Sequence, residues 1–178
     1  MNIWHNIDRK RVKPESFISV IEIPKGSKKK QELDKETGML IVDRILHTSM
    51  QYPANYGFIP KTLSEDNDPM DVWVMSSEIL TSLSMIRCFP IGYIDLSDNG
   101  EPDHKIIAIP HTDPLYNKYT SLDKFPSHVF DELVHFLKVY KQLEGKKVKI
   151  NGIHGKQKAL NLIKESIERY NKEFDKKI

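Results

Sequence analysis

The sequence predicts a mainly β chain of the α+β class, a small β-barrel with helices packed on its outside. Three observations carry that expectation: many short strand-like runs, turn signals between them, and two helical periods towards the end. Phe17 to Ile23 is rich in β-branched and aromatic residues and stops at Pro24-Lys25-Gly26. Met39 to Val42 follows a Thr37-Gly38 turn, and Asp71 to Met75 follows Pro69. Ile86 to Leu96, His104 to Ile109 and Lys147 to Ile150 are the remaining strand candidates. Asp66-Asn67-Asp68-Pro69 and Asp98-Asn99-Gly100-Glu101-Pro102 read as tight turns. Phe130, Leu133, Val134, Leu137 and Tyr140 recur at three and four, with Pro126 as a first-turn residue, and so do Leu160, Ile163, Ile167, Tyr170 and Phe174. With no repeat, linker or low-complexity tract to divide it, residues 1–178 form one expected domain. The last helix, ending in Lys176-Lys177, serves either an interface or as a cap on the barrel.

The 27 basic and 25 acidic side chains leave a charge of +2, which argues against a charge-driven polynucleotide binder. At 39% apolar and 29% charged the chain has material for a core and is not a disordered tail. Runs such as Ile106-Ile107-Ala108-Ile109 fall far short of the roughly 18 apolar residues of a membrane span. Met1 to Asn6 lacks the layout of a secretory signal, so a cytoplasmic location is expected. Cys88, the one cysteine, sits among apolar residues and reads as a small buried hydrophobe. Phosphate-loop, Gly-x-Gly-x-x-Gly, Gly-x-Ser-x-Gly and His-Glu-x-x-His motifs are missing, which disfavours nucleotide motors, Rossmann enzymes, serine hydrolases and zincins. His135 reads as packing or interface before ligand.

Chemistry concentrates in acidic turns. Asp66, Asp68 and Asp71 crowd within six residues, and like charges so close call for a cation among them. Hard carboxylate oxygens suit Mg²⁺ or Mn²⁺, although Asp-rich turns are also common on plain solvated surfaces. A second acidic turn, Asp98 to Asp103, precedes Lys105, and loops at one end of a barrel converge. Two such loops form a candidate paired-metal site for displacement at phosphorus. Glu22 adds a carboxylate at a strand end, unless it is an ordinary strand-end charge. Lys30, Arg44, Lys105 and Lys141 are candidate phosphate holders, each of them equally at home in solvent. The tyrosines of Tyr52-Pro53-Ala54-Asn55-Tyr56-Gly57-Phe58 offer phenolic donors or simply fill a core.

These segments together resemble the soluble family I inorganic pyrophosphatases of the prokaryotic type. The matching text includes Glu22-Ile23-Pro24, Lys30-x-Glu32-x-Asp34-Lys35, Val42-Asp43-Arg44, Tyr52-Pro53-x-Asn55-Tyr56-Gly57-Phe58-Ile59-Pro60 and Asp66-x-Asp68-Pro69-x-Asp71. It continues through Arg87-x-x-Pro90-Ile91-Gly92, Asp98-x-x-x-x-Asp103-x-Lys105-Ile106-Ile107-Ala108 and His135-Phe136-x-x-x-Tyr140-Lys141-x-Leu143-Glu144. The likeness is collinear over a core of about 16–152, followed by a C-terminal helix of about 156–174.

The resemblance implies an OB-like five-stranded barrel with flanking helices and Mg²⁺-dependent hydrolysis of pyrophosphate to two orthophosphates, several ions per site, Mn²⁺ as a substitute. It implies Asp66, Asp71 and Asp103 as ligands of the tight metals, and Asp98, Glu22 and Glu32 as ligands of substrate-borne metals. Asp68 is the implied base, with Asp98 as the alternative. Lys30, Arg44, Tyr56, Tyr140 and Lys141 are implied phosphate contacts, supported by Lys105 and Tyr52. It further implies a homohexamer with His135 near a contact, and neither nucleic-acid nor membrane partners. Asn67 stands where the signature has Gly, and Asn tolerates the left-handed backbone region. Gln31, Lys147 and Ile153 depart from common aromatic residues without removing an implied ligand. The rival readings are an OB-type nucleic-acid-binding module, a metal-dependent nucleotide hydrolase, and an inactive scaffold.

Overall fold

The computed structural model describes residues 1–175, so that Lys176 and Lys177 at the expected end of the last helix lie outside the described residues. In chain order come β1 (Val12–Lys13), β2 (Ser16–Ile23), β3 (Lys29–Leu33), β4 (Leu40–Ile45), β5 (Asn55–Ile59), β6 (Met70–Val74), β7 (Met85–Asp98), β8 (Glu101–Pro102) and β9 (Lys105–Pro110). Helix α1 (Ser127–Val139), strand β10 (Val148–Gly155) and helix α2 (Lys156–Phe174) follow. Each predicted strand and helix is present, and Pro126 stands one place before α1.

Strands β3 and β5 were not signalled. Lys29-Lys30-Gln31-Glu32-Leu33 is polar because β3 pairs only with β4, as a separate hairpin with little to bury. Strand β5 hides behind its aromatic residues and Gly57. That glycine faces Ile21 of β2, and a Cβ there would lie 1.8 Å from the Val20 carbonyl oxygen, so only glycine lets the two backbones meet.

The expected OB-like five-stranded barrel needs correction. One eight-stranded sheet runs β1-β2-β5-β6-β9-β7-β10 with β8 paired to β7, and although β2 also meets β7, the five-strand ring does not close into a barrel. The register supplies a reason. β2 pairs with β7 over Phe17 to Val20 and with β5 from Val20 onward, so within β2 only Val20 is in register with both β5 and β7. β7 behaves alike, giving Met85 to Cys88 to β2 and Cys88 to Ile94 to β9. A closed barrel holds its strands at a constant stagger around the ring; here two strands leave one neighbour as they join the next. The sheet is mixed, because β6 and β9 run parallel while the other pairs are antiparallel.

Alternation along the central strands sends side chains into two cores. Val72 and Val74 of β6 join Ile106 and Ala108 of β9 with Ala159, Ile163 and Tyr170 of α2. Their neighbours Trp73, Ile107 and Ile109 join Phe130, Leu133, Phe136 and Leu137 of α1. Being buried on both faces explains why these strands read as unbroken apolar runs. α2 buries a narrower stripe than its periodicity suggested: Leu160 and Ile167 are half-buried and Phe174 is exposed. Cys88 is fully buried and burial pushes its thiol up to about 12, so it is the inert hydrophobe its neighbours implied. His135 is exposed on α1, which removes its packing reading. Among the described residues no helix is long and apolar enough to cross a membrane.

Candidate active site

A cleft of about 380 Å³ opens between the ends of the central strands, the β3–β4 hairpin and α1. Every site residue expected from the sequence lines it except Arg44. Seven carboxylates and four lysines face the same space, which makes the wall net acidic.

The parallel pairing of β6 with β9 creates its centre. Asp71 at the start of β6 is in register with Lys105 at the start of β9, which lies two residues beyond Asp103. The Asp103 amide donates to the Leu96 carbonyl (2.9 Å), and the tight Asn99-Gly100 turn, with φ of 51° and 84°, folds β8 back onto β7. Lys105 Nζ thereby donates to Asp71 Oδ2 (2.8 Å), to both Asp103 oxygens (3.0 and 3.1 Å) and to the Tyr56 hydroxyl (3.0 Å).

With Lys105 4% exposed, electrostatics are strong here. Burial raises Asp71 to about 6 against the pull of Lys105. Burial also lifts Asp103, but there the Lys105 ammonium and its hydrogen bond prevail and the carboxyl lies below its ordinary value. Burial alone would discharge Lys105, yet Asp103 and Asp71 hold it above its usual range, so it stays cationic. Tyr52 and Tyr56 are pushed up chiefly by burial and remain phenols, hence donors. Glu22, 6% exposed, is raised to about 8 by burial and then by Asp71, while its Oε1 accepts from the Leu33 amide at 2.7 Å.

The loop before β6 is closed from within. Ser64 N donates to Asp68 O (2.8 Å) and Asp68 N to Asp66 Oδ1 (3.0 Å), while Asn67 has φ of 66°. The left-handed angle expected of Asn67 is thus realised. Asp66 and Asp68 are exposed at the cleft's mouth, and Asp68 pairs with Lys35. On the far wall Lys141 pairs with Asp98, whose Oδ1 is buried with no hydrogen-bond partner. Lys30 bridges to Glu32 (2.9 Å), and Tyr140 is buried beside Lys141 after α1.

Arg44 turns elsewhere. Its Nη1 donates to Asp43 Oδ2 (2.5 Å), and its Nε lies 2.7 Å from Glu144 Oε1 in an ion pair without hydrogen-bond alignment. Lys35 was missed by the sequence reading as a site residue, although it stands in the same segment as Lys30 and Glu32. Gln31 was noted only as a departure; its amide ties β3 to the Glu22 carbonyl (2.8 Å).

Among the described residues no three acidic or histidine side chains are already gathered to hold an ion. Lysine ammoniums stand between the carboxylates instead. The donor set nevertheless fits a hard divalent cation: oxygen only, in excess of the lysines, with an orphaned buried acceptor on Asp98.

An acidic, oxygen-lined cleft with fixed ammonium and phenol donors on a mixed sheet is the equipment of a metal-assisted enzyme acting on phosphates. The sequence model for inorganic pyrophosphatases matches residues 19–171, and the chain belongs to that family. It is 48% identical over 162 residues to the inorganic pyrophosphatase of Aquifex pyrophilus, covering 89% of this chain and 92% of that one. It is 42% identical over 171 residues to soluble inorganic pyrophosphatase 2 of Chlamydomonas reinhardtii, covering 96% and 89%. The crystal structure of the inorganic pyrophosphatase from Thermus thermophilus superposes with a TM-score of 0.91 at 33% identity, over 96% of this chain and 99% of that one.

Proposed function

We propose that this cleft hydrolyses inorganic pyrophosphate to two orthophosphates in the presence of Mg²⁺, removing the pyrophosphate released by biosynthesis. The carrying observation is the junction of the two acidic turns at Lys105, which sets Asp71 and Asp103 on one cation. Asp66, Asp71 and Asp103 are the residues to hold the activating ions, and Asp98, Glu22 and Glu32 those to hold ions that arrive with substrate. When bound, Mg²⁺ or Mn²⁺ offsets phosphate charge and lowers the pKa of a water.

The chain's own side chains supply the rest. Lys30, Lys141 and Lys105 are the cations to take phosphate oxygens, with Tyr56, Tyr140 and Tyr52 as phenol donors. Arg44 joins them by swinging from Asp43. The water oxygen attacks one phosphorus, the bridging P–O bond breaks, and Asp68 accepts the water's proton. Asp68 is free for this only when Lys35 lets go of it. Asp98 is the second candidate for that proton, and its partner Lys141 would have to move in the same way.

Phosphate release is expected from pyrophosphate with Mg²⁺, and neither from ATP nor in excess chelator. Release from ATP at a matching rate would favour a nucleotide hydrolase. No observation favours the nucleic-acid module.

We also propose one domain over residues 1–178, a cytoplasmic location and a homohexamer without nucleic-acid or membrane partners. Exposed Met39, Ile41, Val42 and Ile45 around the β3–β4 hairpin support self-association. Light scattering after gel filtration should give six times the chain mass; a monomer mass at micromolar concentration would refute the hexamer.

A further inference from the structure

The short segment leading into the acidic loop is held from outside the cleft, by two elements distant in sequence. Thr62 links the ends of the connection, donating through Oγ1 to the Ile59 carbonyl (2.5 Å) and accepting from the Met70 amide (2.9 Å). Around it, Lys61 N donates to the Trp4 carbonyl (3.0 Å) and Trp4 Nε1 to the Thr62 carbonyl (2.9 Å). Both backbone groups of Leu63 are then held by α2: its amide donates to the Ser166 carbonyl (2.9 Å), and its carbonyl accepts from Arg169 Nε (2.9 Å). Trp4, Thr62, Leu63, Ser166 and Tyr170 are all buried. Lys61 has φ of 57°, a left-handed angle that a side-chain-bearing residue keeps only where its surroundings fix it.

We infer that α2 and the N-terminal segment brace the acidic loop, and that Arg169 is a positioning residue for its metal ligands. The bonds fall on the residues just before Ser64, whose amide closes the loop on Asp68. A shift there moves Asp66 and Asp68 relative to Asp71, which the β6 ladder holds in place. Ligands held in geometry by such partners bind metal more tightly than ligands that must first be ordered. The last helix therefore tunes the site from the opposite side of the loop.

This inference rests on the proposal that the acidic loop holds the cations, and the test separates the two. Mg²⁺ alone is titrated calorimetrically into the parent, Arg169→Ala, Arg169→Lys, Trp4→Phe and Asp71→Asn proteins, and pyrophosphate hydrolysis is followed against Mg²⁺ concentration. Arg169→Ala should weaken Mg²⁺ binding about tenfold and raise the half-saturating Mg²⁺ equally, with kcat at saturation kept within about twofold. Arg169→Lys should recover part of the loss. Trp4→Phe, which keeps an aromatic ring but removes the indole N–H together with the five-membered ring that carries it, should shift binding in the same direction by about threefold. Lower melting temperature with unchanged Mg²⁺ binding in Arg169→Ala, while Asp71→Asn loses it, would overturn the brace. Unchanged binding in Asp71→Asn as well would overturn the reading of the loop as the metal seat, and the brace with it.

Discussion

Asp68→Asn lowers pyrophosphate hydrolysis by about 10²- to 10⁴-fold at saturating Mg²⁺, the range over which a positioned general base acts. The amide keeps the shape of the side chain but cannot take the water's proton. Because Asp68 is exposed and, among the described residues, its side chain bonds only to the equally exposed Lys35, the change leaves folding nearly untouched. The loop keeps its form, since its closure uses the Asp68 backbone and the Asp66 carboxylate rather than the Asp68 side chain. Steady-state kinetics across Mg²⁺ concentrations, beside thermal unfolding, check this. A loss under about tenfold would move the proton to Asp98, and the Asp98→Asn protein should then carry the large effect.

The second large effect is on stability. Among the described residues Lys105 carries the one ammonium bonded to both Asp71 and Asp103, so Lys105→Ala leaves two half-buried carboxylates side by side without it. Breaking a buried pair from one side costs about 3–5 kcal/mol. The loss should be greater at pH 8 than at pH 5, because burial raises Asp71 to about 6 and below that value the neutral acid needs no cation. Mg²⁺ should restore part of it by supplying charge to the same oxygens. Urea unfolding at both pH values, with and without Mg²⁺, measures all three. Equal stability of the two proteins in chelator would show that Lys105 does not hold the acids together.

How much of the site was legible depends on the reach of each residue's information. Asn67 could be placed in a tight loop, and its standing where the family signature has Gly, with Asn's tolerance of the left-handed region, pointed to the angle that φ of 66° shows. The collinear match brought the cleft residues onto the page before any geometry, Arg44 being the exception. Its orientation was not legible because Asp43 and Glu144, one adjacent and one distant, compete for the guanidinium, and sequence order cannot weigh such a contest. Lys35 escaped notice because exposed lysines are abundant; only the fold of the β3–β4 hairpin sets it against Asp68. Strand β3 escaped because a short polar ladder whose one buried side chain is Leu33 at its end has no periodic signature.

The sequence by itself determined the local chemistry and the layering: two acidic turns, apolar strands buried on both faces, and two amphipathic helices. Those features arise from side-chain type and short-range period, which act within a few residues. Only the tertiary structure decided that β2 and β7 exchange neighbours and leave the ring unclosed, that β6 and β9 run parallel and bring Asp71 to Lys105, and that α2 grips Leu63. The last two depend on backbone groups and register. Every residue but proline carries the same amide N–H and carbonyl, so the choice among their pairings is made by the packing of the whole chain.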